Sequence, residues 1–396
     1  MVIRALHFLL LPIAATFGWY VGKRDRGATS QVSRQLKRDY FQGLSYLINE
    51  QSDQAVDVFI KLSEVDSDTA EIHLALGHLF RQRGEVDRAI RIHQNLLARP
   101  ELDKRYHIQA LFALGQDYLR AGVLDRAEQI FLELAAIKEG WNEERQNSLG
   151  FLLNIYQQEK AWSKAIDITK KISAETSEDS HSQLAQFYCE LAEQEAGKGQ
   201  IARALEYLHQ AISTDPSCVR VNLIAGGLAY KTKHFSEAIR HYQQVRLQNI
   251  HFIPEIIQPL CDCYRELGRE KELVAYLQEC LADCPNILLM ITIANYLQRF
   301  ESEQSAIDFI VQYVKSDSTL RGLNHIISLY LKNSHDLPAE KLALLLSMIQ
   351  QLTANKPTYR CGQCGFAAPL LFWNCPSCHH WTSIRPIQKI TAGIAA

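Results

Sequence analysis

Cys361-Gly-Gln-Cys364 and Cys375-Pro-Ser-Cys378 form two Cys-x-x-Cys pairs, ten residues apart, near the carboxy end of a chain of 396 residues. Two residues between paired cysteines let both sulfurs of a tight turn point at one ion. Two such turns supply a tetrahedral four-sulfur shell that suits zinc or iron. The spacing therefore predicts a single metal ion held by Cys361, Cys364, Cys375 and Cys378, and leaves open which of the two metals it is. Residues 356–390 are too few to bury much core, so the ion must supply most of their folding free energy, on the order of 10 kcal/mol for structural zinc. A disulfide pair would need an oxidising compartment, and a redox Cys-x-x-Cys normally follows a strand in a βαβ pattern, which is absent here. His379 and His380 are not needed to complete four ligands and read as exposed neighbours. The other six cysteines, Cys189, Cys218, Cys261, Cys263, Cys280 and Cys284, are irregularly spaced in helical pattern and read as small buried apolar residues in a reducing compartment.

What precedes this segment is a helical repeat. One small residue recurs at Ala55, Ala89, Ala127, Ala165, Ala204, Ala238, Leu273, Ala306 and Ala339, at spacings of 33 to 39 residues. A period near 34 with a helix-turn-helix pattern is the tetratricopeptide signature. Gly43, Gly77, Gly115 and Gly226 stand twelve residues before their marker, where two helices must approach closely, and Phe59, Phe131, Leu208, Tyr242 and Leu277 stand four after it. Gly84, Gly122 and Gly268 mark turns between helices, and Pro216 and Pro285 end second helices. Residues 99–104, 139–143 and 176–179 carry the longer spacings and read as loops. Units four and nine fit least well. Stacked helix pairs make a superhelix whose concave face binds peptides, so the repeat points to a scaffold rather than a catalyst.

Residues 2–21, VIRALHFLLLPIAATFGWYV, form an apolar run followed by Lys23, Arg24 and Arg26. At about 1.5 Å per residue such a run just crosses a bilayer core. Trp19 and Tyr20 suit the interface, and the basic cluster suits the cytoplasmic side. A cleaved signal peptide would end in small residues, not Gly-Trp-Tyr. Arg4, His7 and Pro12 weaken the span and require a boundary position or a kink. The expected division is a transmembrane anchor at 1–21, a basic juxtamembrane linker at 22–35, about nine repeats at 36–355, the metal-binding domain at 356–390 and a tail at 391–396. The fold class is all-α: a tetratricopeptide superhelix with an amino-terminal membrane helix and a small metal knuckle.

Composition agrees with a long solenoid: 47% hydrophobic, 22% charged, formal charge −2. That balance gives no basic stripe for nucleic acid. The chain has no phosphate-cradling glycine loop, His-Glu-x-x-His or nucleophile elbow, and thus no predicted catalytic residue. His107, His181, His251 and His325 stand singly, and Glu143-Glu144 and Glu193/Glu195 read as solvated helix faces. Phe366, Leu370, Leu371, Phe372, Trp373 and Trp381 are too many large apolar side chains for a small knuckle to hide. Some are expected to dock on the last repeats and others to face a partner.

Gly365 after the first pair and Pro376 inside the second resemble rubredoxin and zinc-ribbon turns. Together with FLLLPIAATFGWYVGKR, RDYFQGLSYLINEQSDQAVDVF, GHLFRQRGEVDRAIRIHQNLL, QFYCELAEQEA, YRCGQCGF and FWNCPSCHHWTSIRPI, the chain resembles, over nearly its whole length, the lipopolysaccharide assembly protein B family of Gram-negative bacteria. The resemblance implies a cytoplasm-facing, single-pass adaptor of the inner membrane that helps a membrane-anchored AAA+ protease degrade the lipid A pathway deacetylase. It also implies a metal, iron in the family, on Cys361, Cys364, Cys375 and Cys378. Electron transfer at that site, or a scaffold for envelope enzymes without proteolysis, are the other functions these residues allow.

Overall fold

The marker residues become the seams between helices. The computed structural model describes residues 70–100, 102–137, 142–176, 180–284, 286–316 and 357–387, with a few isolated positions before residue 59. Ala55, Ala339, Pro285, His325 and the apolar run at 2–21 lie outside the described residues. Among those described, no helix is long and apolar enough to cross a membrane. The chain divides into two compact units, residues 1–161 and 162–396.

The first unit holds α1 (Ala70–Gln82), α2 (Val86–Leu97), α3 (Lys104–Arg120), α4 (Leu124–Ala135) and α5 (Asn142–Gln158). The second holds α6 (Trp162–Thr176), α7 (His181–Gly197), α8 (Ile201–Thr214), α9 (Val219–Lys231), α10 (Phe235–Gln248), a 3₁₀ turn (Ile250–Phe252), α11 (Ile253–Glu266), α12 (Glu270–Asp283), α13 (Ile287–Phe300) and α14 (Glu303–Ser316). Every described marker falls on a second helix of its repeat. Ala89, Ala127, Ala165, Ala204, Ala238 and Leu273 are fully buried, and Ala306 nearly so. In α8 the buried residues are Ala204, Leu208 and Ala211, the 3-to-4 spacing that gives a helix one apolar face. The fourth repeat is more regular than its sequence suggests: α5 starts at Asn142, so Glu143 lies in a helical first turn and not in a loop.

The turn five residues before the marker is left-handed in six of the described repeats, Glu301 before Ala306 being the exception at φ −115°. Gly84, Gly122, Gly199 and Gly268 take positive φ there, and Lys160 (φ 56°) and Lys233 (φ 63°) adopt the same conformation without glycine's freedom. Residue type gives no sign of these two turns, which stand at the same place in the period as the glycine ones. In the first unit His93 fills the aromatic position four after the marker and meets Gly77. Its Nδ1 pairs with Asp117 Oδ2, whose other oxygen accepts from Arg81 Nη1 at 2.7 Å, so α1, α2 and α3 share one buried polar knot.

The close approach twelve before the marker is clearest in α9. A Cβ added at Gly226 would sit 2.5 Å from Tyr242 Cε1, whereas one at Gly227 meets nothing within 4 Å. Gly226→Ala should therefore destabilise the second unit by roughly 1–3 kcal/mol through overpacking. Gly227→Ala should be neutral, or stabilising by up to about 1 kcal/mol through helix propensity. Urea denaturation of the two variants checks this pair; equal midpoints would contradict the assigned packing.

Candidate metal centre

The four cysteines are placed by a three-stranded antiparallel sheet, β1 (Tyr359–Cys361), β2 (Ala367–Ala368) and β3 (Ile384–Pro386), in the order β2-β1-β3. Cys361 ends β1 opposite Ile384. Each Cys-x-x-Cys closes in the same way. Gly365 N donates to Cys361 O at 3.1 Å, and His379 N donates to Cys375 O at 2.9 Å. Likewise Cys361 N donates to Phe366 O at 2.7 Å and Cys375 N to His380 O at 3.0 Å. Gly365 and His379 both take positive φ at the equivalent place, so the two turns are near copies. His379 is thus a turn residue on an exposed edge, and exposed His380 sets its Nδ1 3.0 Å from the carbonyl of Cys378. The cluster of sulfurs comprises Cys361, Cys364, Cys375 and Cys378 without either histidine.

All four sulfurs lie within 4.8 Å of one another, and the Cys361–Cys378 and Cys364–Cys375 sulfurs are each 3.7 Å apart. A tetrahedron with metal–sulfur bonds of ~2.3 Å has edges of ~3.8 Å, so the donors fit one zinc or iron ion. Cys361 and Cys375 are buried beneath Tyr359, Ile384, Phe366 and Leu371, while Cys364 is exposed.

The thiols divide in acidity because four thiolates cannot be packed together without a cation. The Ser383 hydroxyl, 3.3 Å away, leads the effects that pull Cys361 down to about 6. The Phe366 N–H leads those that lower Cys364. The His380 N–H favours the Cys378 thiolate, but burial and the three neighbouring thiols push that group up to about 12. A metal bound near neutral pH must displace at least the Cys378 proton. Affinity should therefore rise with pH through the neutral range and collapse below about 6, where Cys361 is protonated too. Proton release on metal titration in weak buffer, and acid release to a chromogenic chelator, measure both effects. Metal binding without proton uptake or release would contradict this arrangement.

The knuckle's aromatic residues do dock on the repeats, and among the described residues the rings they meet lie well before the last repeats, whose residues 317–356 are outside the described ones. Trp381 meets Trp162 of α6 and Phe187 of α7 edge-on, with ring centroids 6.0 and 5.5 Å apart. Trp373 stacks on Phe252 at 5.4 Å and lies over the Arg220 guanidinium of α9, also at 5.4 Å. Tyr359 donates its hydroxyl to Glu255 of α11. The docking site is thus the middle of the array, residues 162–255. The reason is geometric: the first helices of successive repeats form one row, and Gln186, Arg220 and Glu255 hold the same repeat position, eighteen residues before their markers. Leu371 packs inward with Trp373, whereas Leu370 (67% exposed) and Phe372 (39%) point out, as alternation along an extended segment requires.

Arg220 is the residue that sequence reading missed. It is 2% exposed, and its two terminal nitrogens bond Gln186 (3.3 Å), Glu190 (2.8 Å) and Glu193 (2.9 Å). Burial alone would lower its pKa, but Glu193 and Glu190 more than offset that and raise it. Glu193 is accordingly an ion-pair partner rather than a merely solvated acid. The one basic residue at a repeat position otherwise acidic, amide or apolar (Glu71, Gln109, Asn147, Gln186, Glu255, Leu288) was the available signal.

A protein family described as "Rubredoxin metal binding domain" matches residues 359–386. Two described as "Tetratricopeptide repeat" match residues 72–105 and 189–249. Lipopolysaccharide assembly protein B of Escherichia coli strain K12 is 34% identical over 387 residues, which cover 97% of this chain and 98% of that protein. The protein of the same name from Haemophilus influenzae is 33% identical over 394 residues, with the same coverage. A crystal structure of MamA protein matches 47% of this chain and 95% of its own at 18% identity and a TM-score of 0.30.

Proposed function

Since the chain belongs to the lipopolysaccharide assembly protein B family, we propose that it is an adaptor of lipopolysaccharide synthesis, anchored in the inner membrane with its bulk on the cytoplasmic side. It brings the lipid A pathway deacetylase, UDP-3-O-acyl-N-acetylglucosamine deacetylase, to a membrane-anchored AAA+ protease and so promotes its degradation. The observation that carries this reading is the coverage of the similarity: it extends over 97% of the chain and so includes repeats and knuckle together. Peptide-binding repeats beside a metal knuckle suit a protein that holds others and performs no chemistry itself.

The apolar run at 2–21 supports the anchor, and anchoring raises the effective concentration of a soluble client near a membrane protease. Cys361, Cys364, Cys375 and Cys378 would hold one ion, iron or zinc. That ion's contribution is structural: it fixes the two turns that carry Trp373 and Trp381 to the repeats. Thr382 N donates to Trp373 O at 2.8 Å, and Asn374 bridges Trp381, so both indoles hang from the strands around the second metal turn.

Reconstitution tests the reading. Adding the purified full chain to the protease in vesicles should speed loss of the deacetylase several-fold over protease alone. No acceleration would favour a scaffold that assembles envelope enzymes without proteolysis.

A further inference from the structure

The knuckle does not satisfy the face it covers. Trp162 is 5% exposed, and its indole Nε1 is buried without a hydrogen-bond partner among the described residues. Arg220 Nε, under Trp373, is equally buried and unpartnered. Buried donors without acceptors are costly, and here two of them sit at the two aromatic seats that the knuckle uses. The knuckle thus supplies rings to this face but not the oxygen atoms it is built to receive.

We propose that the row of first helices α7, α9 and α11, flanked by Trp162 of α6 and by Phe252 of the 3₁₀ turn, is a peptide-binding face in its own right, that the metal knuckle is its displaceable cover, and that its partner is an extended, acid-free segment with spaced aromatic side chains. The cover shows which chemistry fits. It presents Trp381 to Trp162 and Phe187, Trp373 to Phe252 and Arg220, and a hydroxyl donor to Glu255. Residues 357–387 contain Arg360 and Arg385 and no acidic residue, while, among the described residues, the face contributes Glu190, Glu193 and Glu255 against the single cation Arg220. A carboxylate-rich segment would be repelled there. An extended segment adds what the knuckle lacks, a line of backbone carbonyls for Trp162 Nε1 and Arg220 Nε. The cover lowers the apparent affinity of such a segment by the fraction of time the face is open.

This deepens the adaptor reading by naming the face that takes a client, yet its test uses neither protease nor deacetylase and fails independently of that reading. The full chain, loaded with metal, is titrated with a fluorescein-labelled peptide bearing two tryptophans on a lysine and serine background. Trp373→Ala with Trp381→Ala, which removes the cover's seats and leaves all four cysteines, should bind the peptide at least about tenfold more tightly than the unaltered chain. Bound peptide should also slow hydrogen exchange in α7, α9 and α11 of that variant. Metal content and circular dichroism establish that the variant is folded. In the unaltered chain, Phe187→Ala with Phe252→Ala should weaken whatever binding is seen. Equal affinity in the covered and uncovered chains, binding by neither, or binding unaffected by Phe187→Ala with Phe252→Ala would overturn the proposal.

Discussion

Serine at both Cys361 and Cys375 should reduce bound metal from one ion per chain to none and erase hydrogen-exchange protection across residues 357–387. The short strands of the knuckle bury little: Tyr359, Cys361, Cys375 and Ile384 make up its own core. Its folding therefore depends on the ion, whose contribution on the order of 10 kcal/mol exceeds anything those residues supply by burial. The loss should spread to a defined place. Trp373 stacks on Phe252 and Arg220, and Trp381 packs on Trp162 and Phe187. Exchange should quicken in α6, α7, α9 and the start of α11, while α2 and α3 of the first unit stay unchanged. Exchange measured by mass spectrometry on metal-loaded and double-serine chains reads all these segments in one experiment. A double-serine chain that keeps its protection in α7 and α9 would show that docking is independent of the metal.

Much of this was legible in the sequence because the repeat and the metal site are both periodic signals. A marker that must be small wherever two helices cross, and two cysteines that must share a turn, leave fixed spacings. The turns at Lys160 and Lys233 show the limit of residue type as a guide: backbone demand for a left-handed turn persisted where glycine did not. The docking seats among the described residues were not foreseen because proximity along the chain suggested the last repeats. The actual seats, Trp162, Phe187, Arg220 and Phe252, lie more than one hundred residues from Trp373 and Trp381. Nothing in a single sequence links positions brought together only by stacking. His93 and Asp117 were passed over for the same reason, lying 24 residues apart in successive repeats and meeting only when α2 packs on α3.

The second large effect concerns the cell. If the chain delivers the lipid A pathway deacetylase to a membrane protease, its loss removes the delivery step, and the deacetylase should persist several-fold longer. Effective concentration at the membrane supplies the leverage, since a tethered adaptor turns a bimolecular search into a local one. The metal enters through structure: without it Trp373 and Trp381 lose the turns that aim them at the repeats. The double-serine chain uncovers the repeat face but also loses the folded knuckle, which no longer holds the exposed Leu370 and Phe372 outward for a partner, so even at normal level it should behave like depletion.

The decisive measurement is the half-life of that deacetylase after protein synthesis is stopped, in cells depleted of this protein and complemented with either the unaltered chain or the form carrying Cys361→Ser and Cys364→Ser. We predict a prolonged half-life on depletion, restored by the unaltered chain and not by the serine form. A half-life unchanged by depletion would contradict the adaptor account.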